Sequence, residues 1–398
     1  MRYTPWLLCA FRAAHMALFP VAIVPLFVTE ELSLSLPTFL TVQALFGFVV
    51  AAAEFPSGYV ADRLGHRCAL ALGSAIAALG WTVYTVAQGL WGVVGAEVCL
   101  GLGMALISGA DSALMYEALL HLGREAEFAR FYGRMQSWGQ LAEGTAAISV
   151  GVLYTLWVRL PFMLEILLCS AALLMALRMA APAAETQHGQ PHMARMMWVA
   201  RETLSGRTPL RAVVFTSVAF GLSSFIPVWL IALYARRQGL SEGGIGVVWA
   251  AANYLVALGA MVSHRVERGL GLRRMMWLCV VLIALGYAGL SLGQGIWAVG
   301  FYGLITFMRG INGPVLHHLE QRLVTSTDRA SFVSFRSLLF RGSFVFLGPL
   351  IGHGVEQQGD HRMFGILGAA CSFAAMWAVV GLTRALASRP AFDGGTAE

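Results

Sequence analysis

The 398-residue chain contains no lysine, and only 12% of its residues are charged. A soluble domain carries about a quarter charged residues, so a water-facing surface of this size would have too few charges to cover it. Soluble enzymes and nucleic-acid-binding domains are excluded on that ground. The six cysteines (Cys9, Cys68, Cys99, Cys169, Cys279 and Cys371) stand singly with no CxxC pair, which excludes a disulfide scaffold or zinc ribbon. The sequence also lacks a metal-ligand cluster, a nucleophile motif and a phosphate-binding loop, so neither an enzyme, a metal nor a cofactor is expected. Hydrophobic residues fill the chain instead, at 58% with a mean hydropathy of +0.70. The net charge of +6 comes from arginine, and in a membrane protein such an excess sets orientation rather than nucleic-acid binding.

The apolar stretches predict twelve membrane-crossing helices, near 5–29, 38–60, 69–87, 91–119, 131–156, 160–180, 210–235, 242–262, 275–293, 296–319, 332–355 and 362–383. Each is long enough for an apolar layer of about 30 Å, and none alternates in polarity as a barrel strand does. The first stretch carries Arg12 and His15 and runs to Thr29, too long for a signal peptide, so it reads as an uncleaved span. With the N-terminus in the cytoplasm, the outer loops hold only Arg159, Arg236, Arg237 and Arg362, while Arg2, Arg63, Arg67, Arg124, Arg130, Arg178, Arg273, Arg274, Arg384 and others fall inside. That bias predicts two cytoplasmic termini.

The expected fold is an all-α integral membrane protein: a six-helix bundle over 1–180, a cytoplasmic linker over 181–209, a second six-helix bundle over 210–385 and a tail over 386–398. Within the linker, Met193–Leu204 mixes apolar Met196, Met197 and Val199 with Arg195, Arg201 and Glu202, a pattern for a helix at the membrane surface. His188 and His192 nearby read as solvated linker, since no further metal ligand accompanies them. The halves resemble each other. Leu90-Trp91 is followed by Ser108-Gly109-Ala110-Asp111, and Ile296-Trp297 is followed by Arg309-Gly310-Ile311-Asn312. Phe131 and Phe332 each open a span followed by an arginine, Arg134 and Arg336. Such repeats build many secondary transporters, with the substrate site between them.

Between the second and third spans runs Gly58-Tyr59-Val60-Ala61-Asp62-Arg63-Leu64-Gly65-His66-Arg67. This stretch resembles the signature loop of the major facilitator superfamily, G-x-x-x-D-R-x-G-R-[RK], with His66 replacing the first basic residue. Gly65 suits the tight turn, and Asp62 sits where a carboxylate caps a helix N-terminus or pairs with arginine. Val266-Glu267-Arg268-Gly269-Leu270-Gly271-Leu272-Arg273-Arg274 is a degenerate second copy with one inserted residue. Glu54-Phe55-Pro56-Ser57-Gly58, Ser108–Glu117 and Arg329–Ser334 resemble bacterial drug and metabolite efflux members. Two departures separate the chain from proton-driven drug antiporters: Glu97 stands where they carry an arginine ahead of Gly101-Leu102-Gly103, and Gly139, Gly144 and Gly151 have no proline between them.

Charges at membrane depth are costly and face a cavity or a partner. The resemblance implies a gate lock near the cytoplasmic ends, with Gly58, Asp62, Arg63, Gly65 and Arg67 as its signature and Arg12, Glu54 and Asp111 as its charges; Arg12 and Glu54 lie at similar depths and could pair. Deeper lie Glu97, Glu143, Arg309 and Arg341. One reading makes them salt bridges between the halves. The other makes Arg309 and Arg341, with Asn312 and Trp229, the substrate-binding set, and Glu97, Glu143 or His15 the carrier of a coupling proton. Arginine grips a carboxylate or phosphate through a fixed fork of donors, and a carboxylate taken out of water can load and unload a proton during a cycle.

The expected function is secondary active transport by alternating access: proton-coupled export of a small anionic or zwitterionic molecule across a bacterial inner membrane, by a monomer embedded in the bilayer and without nucleic acid. Metabolite uptake and multidrug/proton antiport are the alternatives, and a non-transporting sensor or assembly factor on the same fold is a third.

Overall fold

A computed structural model describes residues 2–180, 192–205, 209–324 and 329–387. Among these residues fifteen α-helices follow one another: α1 (Thr4–Met16), α2 (Val24–Leu26), α3 (Leu36–Leu64), α4 (His66–Val86), α5 (Leu90–Ile107), α6 (Ala110–His121), α7 (Phe128–Leu156), α8 (Leu160–Arg178), α9 (His192–Ser205), α10 (Pro209–Arg237), α11 (Glu242–Leu292), α12 (Ile296–Val299), α13 (Tyr302–Leu323), α14 (Arg329–Gln358) and α15 (Asp360–Ala387). No strand occurs among the described residues. Among the described residues, eight helical stretches are long and apolar enough to cross a membrane, one of them formed by α5 and α6 together, and α11, at 51 residues, covers two of the expected spans. With α7, α13 and the broken first span, these make the twelve-helix membrane fold that the hydropathy pattern implies.

Three expected spans are interrupted. The first breaks between α1 and α2, where Leu18 takes a left-handed φ of 48°. Pro20 supplies no amide hydrogen to the carbonyl a turn before it, so the helical ladder cannot run through. The fourth divides at Ser108–Gly109 into α5 and α6, and the tenth into α12 and α13. The two signature-like loops share one backbone geometry. Gly65 (φ 86°, ψ 150°) separates α3 from α4, and Gly271 (φ 76°, ψ 154°) turns the chain inside α11. A side chain at either position would be strained, so the inserted residue of the second loop is absorbed before Gly271 and the turn is retained.

The chain divides into two compact units. Unit 1 comprises Met1–Gly189, Ala235–Asn253 and Arg341–His353. Its helices α4, α5 and α8 pack together, α3 lies on α5, and α1 lies on α7 and α8. Phe27, Trp81, Tyr84 and Phe162 form an aromatic cluster at this centre, with ring centroids 4.7–6.4 Å apart. Unit 2 comprises Gln190–Tyr234, Tyr254–Phe340 and Gly354–Glu398. There Tyr287 donates to the Ser223 carbonyl at 2.9 Å and Tyr234 to that of Leu290 at 2.8 Å, while the Tyr234 and Phe364 rings meet edge to face. Helix α9 occupies part of the expected linker and places Ala200 against Val214, Phe332 and Phe335 of this unit. The His188 stretch of the linker and most of the expected tail lie outside the described residues.

Candidate functional site

The expected gate charges form pairs at one end of unit 1. Arg12 of α1 donates to Oδ2 of Asp111 at 3.1 Å, and Oδ1 of Asp111 accepts the Ser112 amide at 2.7 Å in the first turn of α6. Arg12 therefore pairs with Asp111 rather than with Glu54. Glu54 lies instead where its charge acts on Arg341. His66, which replaces a basic residue of the signature, meets Glu117 at 3.1 Å. Arg67 donates to the Leu177 carbonyl at the end of α8, and the Arg63 guanidinium stacks on Tyr59 at 5.0 Å. Gly58 is exposed, and the side chain of Asp62 lies outside the described residues.

Of the deep carboxylates, Glu97 is enclosed by its own bundle. Its Oε1 accepts Gln43 of α3 at 2.6 Å and the Tyr84 hydroxyl of α4 at 2.6 Å. Glu143 has partners from the far part of the sequence. Its Oε1 accepts the Trp249 indole N–H at 3.2 Å and the Asn253 amide at 3.1 Å, both on α11. Beside them α7 and α11 touch backbone to backbone: a Cβ at Gly246 would overlap the Ala147 carbonyl, and one at Gly151 would overlap Gly243. Glu143, Ala147 and Gly151 are spaced by four residues and share one face of α7, so the carboxylate sits at the end of a small-residue crossing. His15 is buried against Phe11, and its Nδ1 has no hydrogen-bond partner among the described residues.

Sequence reasoning missed Glu165 of α8. It is fully buried, and its Oε2 accepts the Phe19 amide at 3.1 Å, one of the donors released where the first span breaks. The signal was available: a lone acid inside the apolar sixth span, opposite a Pro-containing stretch.

Arg341 lies in unit 1, with its Cβ and Cγ packed near Gly47 of α3. In unit 2, Arg309 is exposed near the middle of the tenth span, and no ion pair holds it among the described residues. The neighbouring Gly310 lies so close to Val256 of α11 that a side chain would not fit, which fixes the backbone of α13 at this point. Asn312 does not stand exposed beside Arg309 as their spacing suggests. It is buried, donating to the Met308 carbonyl at 2.7 Å. Three residues leave about 60° between two side chains around a helix, enough for the packed boundary to fall between them. Trp229 lies edge to face with Phe225, which packs in turn on Phe340.

A second missed group is Glu320 of α13, buried in unit 2 and accepting from Arg336 at 2.8 and 2.9 Å and from Ser217 of α10 at 3.0 Å. It ties α10, α13 and α14 together. The acid falls at the polar end of a predicted span, where a charge attracts no notice in a hydropathy reading.

Long apolar helices, a repeated loop geometry and charges held at depth define the class: a multi-pass membrane protein with a secondary-transporter fold. Residues 6–349 match the sequence profile of the Major Facilitator Superfamily, and the chain belongs to that family. No curated protein matches the sequence. Among solved structures, the chain is similar to the nucleoside transporter NupG (13% identity, TM-score 0.80, covering 95% of this chain and 98% of that one). It is also similar to a POT family transporter in complex with 5-aminolevulinic acid (12% identity, TM-score 0.78, 96% of each chain). A peptide transporter POT in complex with sulfate gives 14% identity and a TM-score of 0.78, over 96% and 95% of the chains. At these identities the likeness is one of fold.

Proposed function

We propose that the protein exports a small anionic or zwitterionic organic molecule across a bacterial inner membrane by alternating access, driven by protons, with both termini in the cytoplasm. The observation that carries this reading is Arg309, an exposed guanidinium near mid-span. A charge at that depth is tolerable only where it meets water or a counter-ion, and a guanidinium with free donors recognises carboxylate or phosphate in two places. Arg341, on the α3 side with Glu54, is the second candidate contact. Trp229 and Asn312 rank below them, the one packed among aromatic rings and the other committed to Met308. 5-Aminolevulinic acid, bound by one structurally similar transporter, carries a carboxylate and an amine, which agrees with a zwitterionic cargo.

For the coupling proton, Glu143 is favoured over Glu97 and His15. A site couples proton to movement only if its surroundings differ between the two states. The described partners of Glu97 lie on α3 and α4, close to it in sequence, whereas Glu143 is held by Trp249 and Asn253, from the second half of the sequence although within the same compact unit. Opening of the α7–α11 crossing would expose Glu143, and its closing would return the carboxylate to Trp249 and Asn253. The reading is tested by thermal-stability measurements on wild type, Arg309→Ala and Arg341→Ala against organic anions, zwitterions, sugars and lipophilic cations, since a ligand raises stability by binding the folded state. Stabilisation by anions or zwitterions that Arg309→Ala abolishes is the expected result. Stabilisation by lipophilic cations alone, equal in all three proteins, contradicts it and favours drug antiport.

A further inference from the structure

The face of unit 1 shared by α1 and α7 carries an arrangement that the transport reading does not use. The Arg134 guanidinium lies 5.1 Å from the Trp6 ring and 5.6 Å from the Phe131 ring. Trp6 and Trp138 stand 6.4 Å apart and remain 44% and 40% exposed. Arg130, Arg134 and Trp138 follow at four-residue spacing, and Arg130 is exposed as well. Glu127, the acid on the adjoining turn, is hydrogen-bonded to Arg124 at 2.6 and 2.9 Å, and its charge also reaches Arg130 and Arg134 without a hydrogen bond to either among the described residues.

The same face continues along α7 as exposed Leu141, Thr145, Ile148 and Val152. It points away from α11, because Trp138 and Ala147 are nine residues, or about two and a half turns, apart. Beyond the end of α7 stands Trp157, 52% exposed. Trp138 and Trp157 are nineteen residues apart, roughly 28 Å along a helix, close to the hydrocarbon thickness of about 30 Å. The stripe is thus a lipid-facing surface bounded by tryptophans at both interfaces, and the two arginines lie just past one boundary, at headgroup depth.

We propose that Arg134, stacked on Trp6 and flanked by Arg130 and Trp138, binds the phosphate of an anionic phospholipid, whose acyl chains lie along Leu141, Ile148 and Val152. Stacking holds the guanidinium plane against the rings and leaves its N–H edge for the phosphate oxygens. The tryptophans fix the glycerol level, as aromatic side chains do at membrane interfaces. The site lies opposite the face of α7 that meets α11, so it is independent of which cargo is moved. The occupant is a lipid rather than a soluble anion because the apolar stripe continues directly from the two arginines.

The test is native mass spectrometry of the full chain released from micelles containing phosphatidylglycerol or phosphatidylcholine of identical acyl chains. Wild type is expected to retain the anionic lipid over the zwitterionic one by roughly fivefold, the factor set by about 1 kcal/mol for the single arginine, Arg134, that meets the phosphate. Arg134→Gln is expected to lose that preference. Arg134→Lys, which keeps the charge and loses the planar fork, is expected to fall between, and it separates loss of the site from loss of the fold. Trp138→Leu is expected to shorten lipid retention with the headgroup preference kept. Equal retention of both lipids by wild type, or an undiminished preference in Arg134→Gln, overturns the proposal. So does displacement of the lipid by a tenfold excess of inorganic phosphate, which would make a soluble anion the occupant.

Discussion

The Trp249 indole nitrogen donates to Oε1 of Glu143 at 3.2 Å, joining α11 to α7 one turn from the place where the two backbones touch. Tryptophan can donate but not accept, so this bond requires an acceptor on α7. A hydrogen bond to an ionised acceptor is roughly twice as strong as one between neutral groups. The protonation state of Glu143 therefore bears directly on how firmly the crossing is held.

Glu143→Gln keeps the length of the side chain and an acceptor oxygen while removing the titration. It is expected to retain exchange of cargo between equal pools and to lose accumulation driven by a proton gradient. Counterflow and uphill transport, assayed side by side in proteoliposomes, check this. Unchanged uphill transport would remove Glu143 from the coupling step.

Gly246→Val is expected to stop transport more completely than Gly244→Val. The Gly246 position faces the Ala147 carbonyl so closely that any side chain forces the helices apart, whereas the nearest atoms at Gly244 belong to the Leu240 side chain, at 3.3–3.4 Å. Transport rate at matched expression reads the difference. Equal activity of the two variants would mean that the crossing does not form part of the cycle.

Glu165→Ala is expected to lower Tm, because the partly buried Phe19 amide loses its acceptor. An unsatisfied buried donor costs about 1–3 kcal/mol. Glu165→Gln, which keeps an acceptor oxygen, is expected to lose less. Thermal unfolding of the two variants in one detergent is the measurement, and an alanine variant as stable as wild type would show that the break in the first span does not depend on this carboxylate.

Arg336→Ala is expected to destabilise the protein far more than Arg124→Ala. Removing Arg336 leaves buried Glu320 with the Ser217 hydroxyl at 3.0 Å and the His317 ring at 3.8 Å, and a buried acid stripped of its guanidinium loses about 2 kcal/mol or more. Arg124 and Glu127 form an i,i+3 pair close to solvent, and such pairs add little. The comparison of Tm values decides it.

The membrane class, the span positions and the family were legible in the sequence because they rest on long-range sums: hydropathy over about twenty residues and one loop motif. The repeat was legible too, and the matching turns at Gly65 and Gly271 give it a backbone basis. Partner choice was not. Arg12 was placed at the depth of Glu54 but pairs with Asp111, because depth fixes height along the membrane normal and says nothing of which helix is adjacent. The interruption near Pro20 and the role of Glu165 belong to the same class, since the acid lies 146 residues from the amide that it accepts. Arg309 and Asn312 stand three residues apart in the expected substrate-binding set, yet the packed surface runs between them.

The most direct measurement is efflux from proteoliposomes of whichever organic anion or zwitterion stabilises the purified protein, for wild type and Arg309→Ala, with a proton gradient imposed. Saturable, gradient-driven flux in wild type that falls at least tenfold in Arg309→Ala is the expected result. Flux of the same compound at equal rate in both proteins, or movement of lipophilic cations alone, would contradict the account.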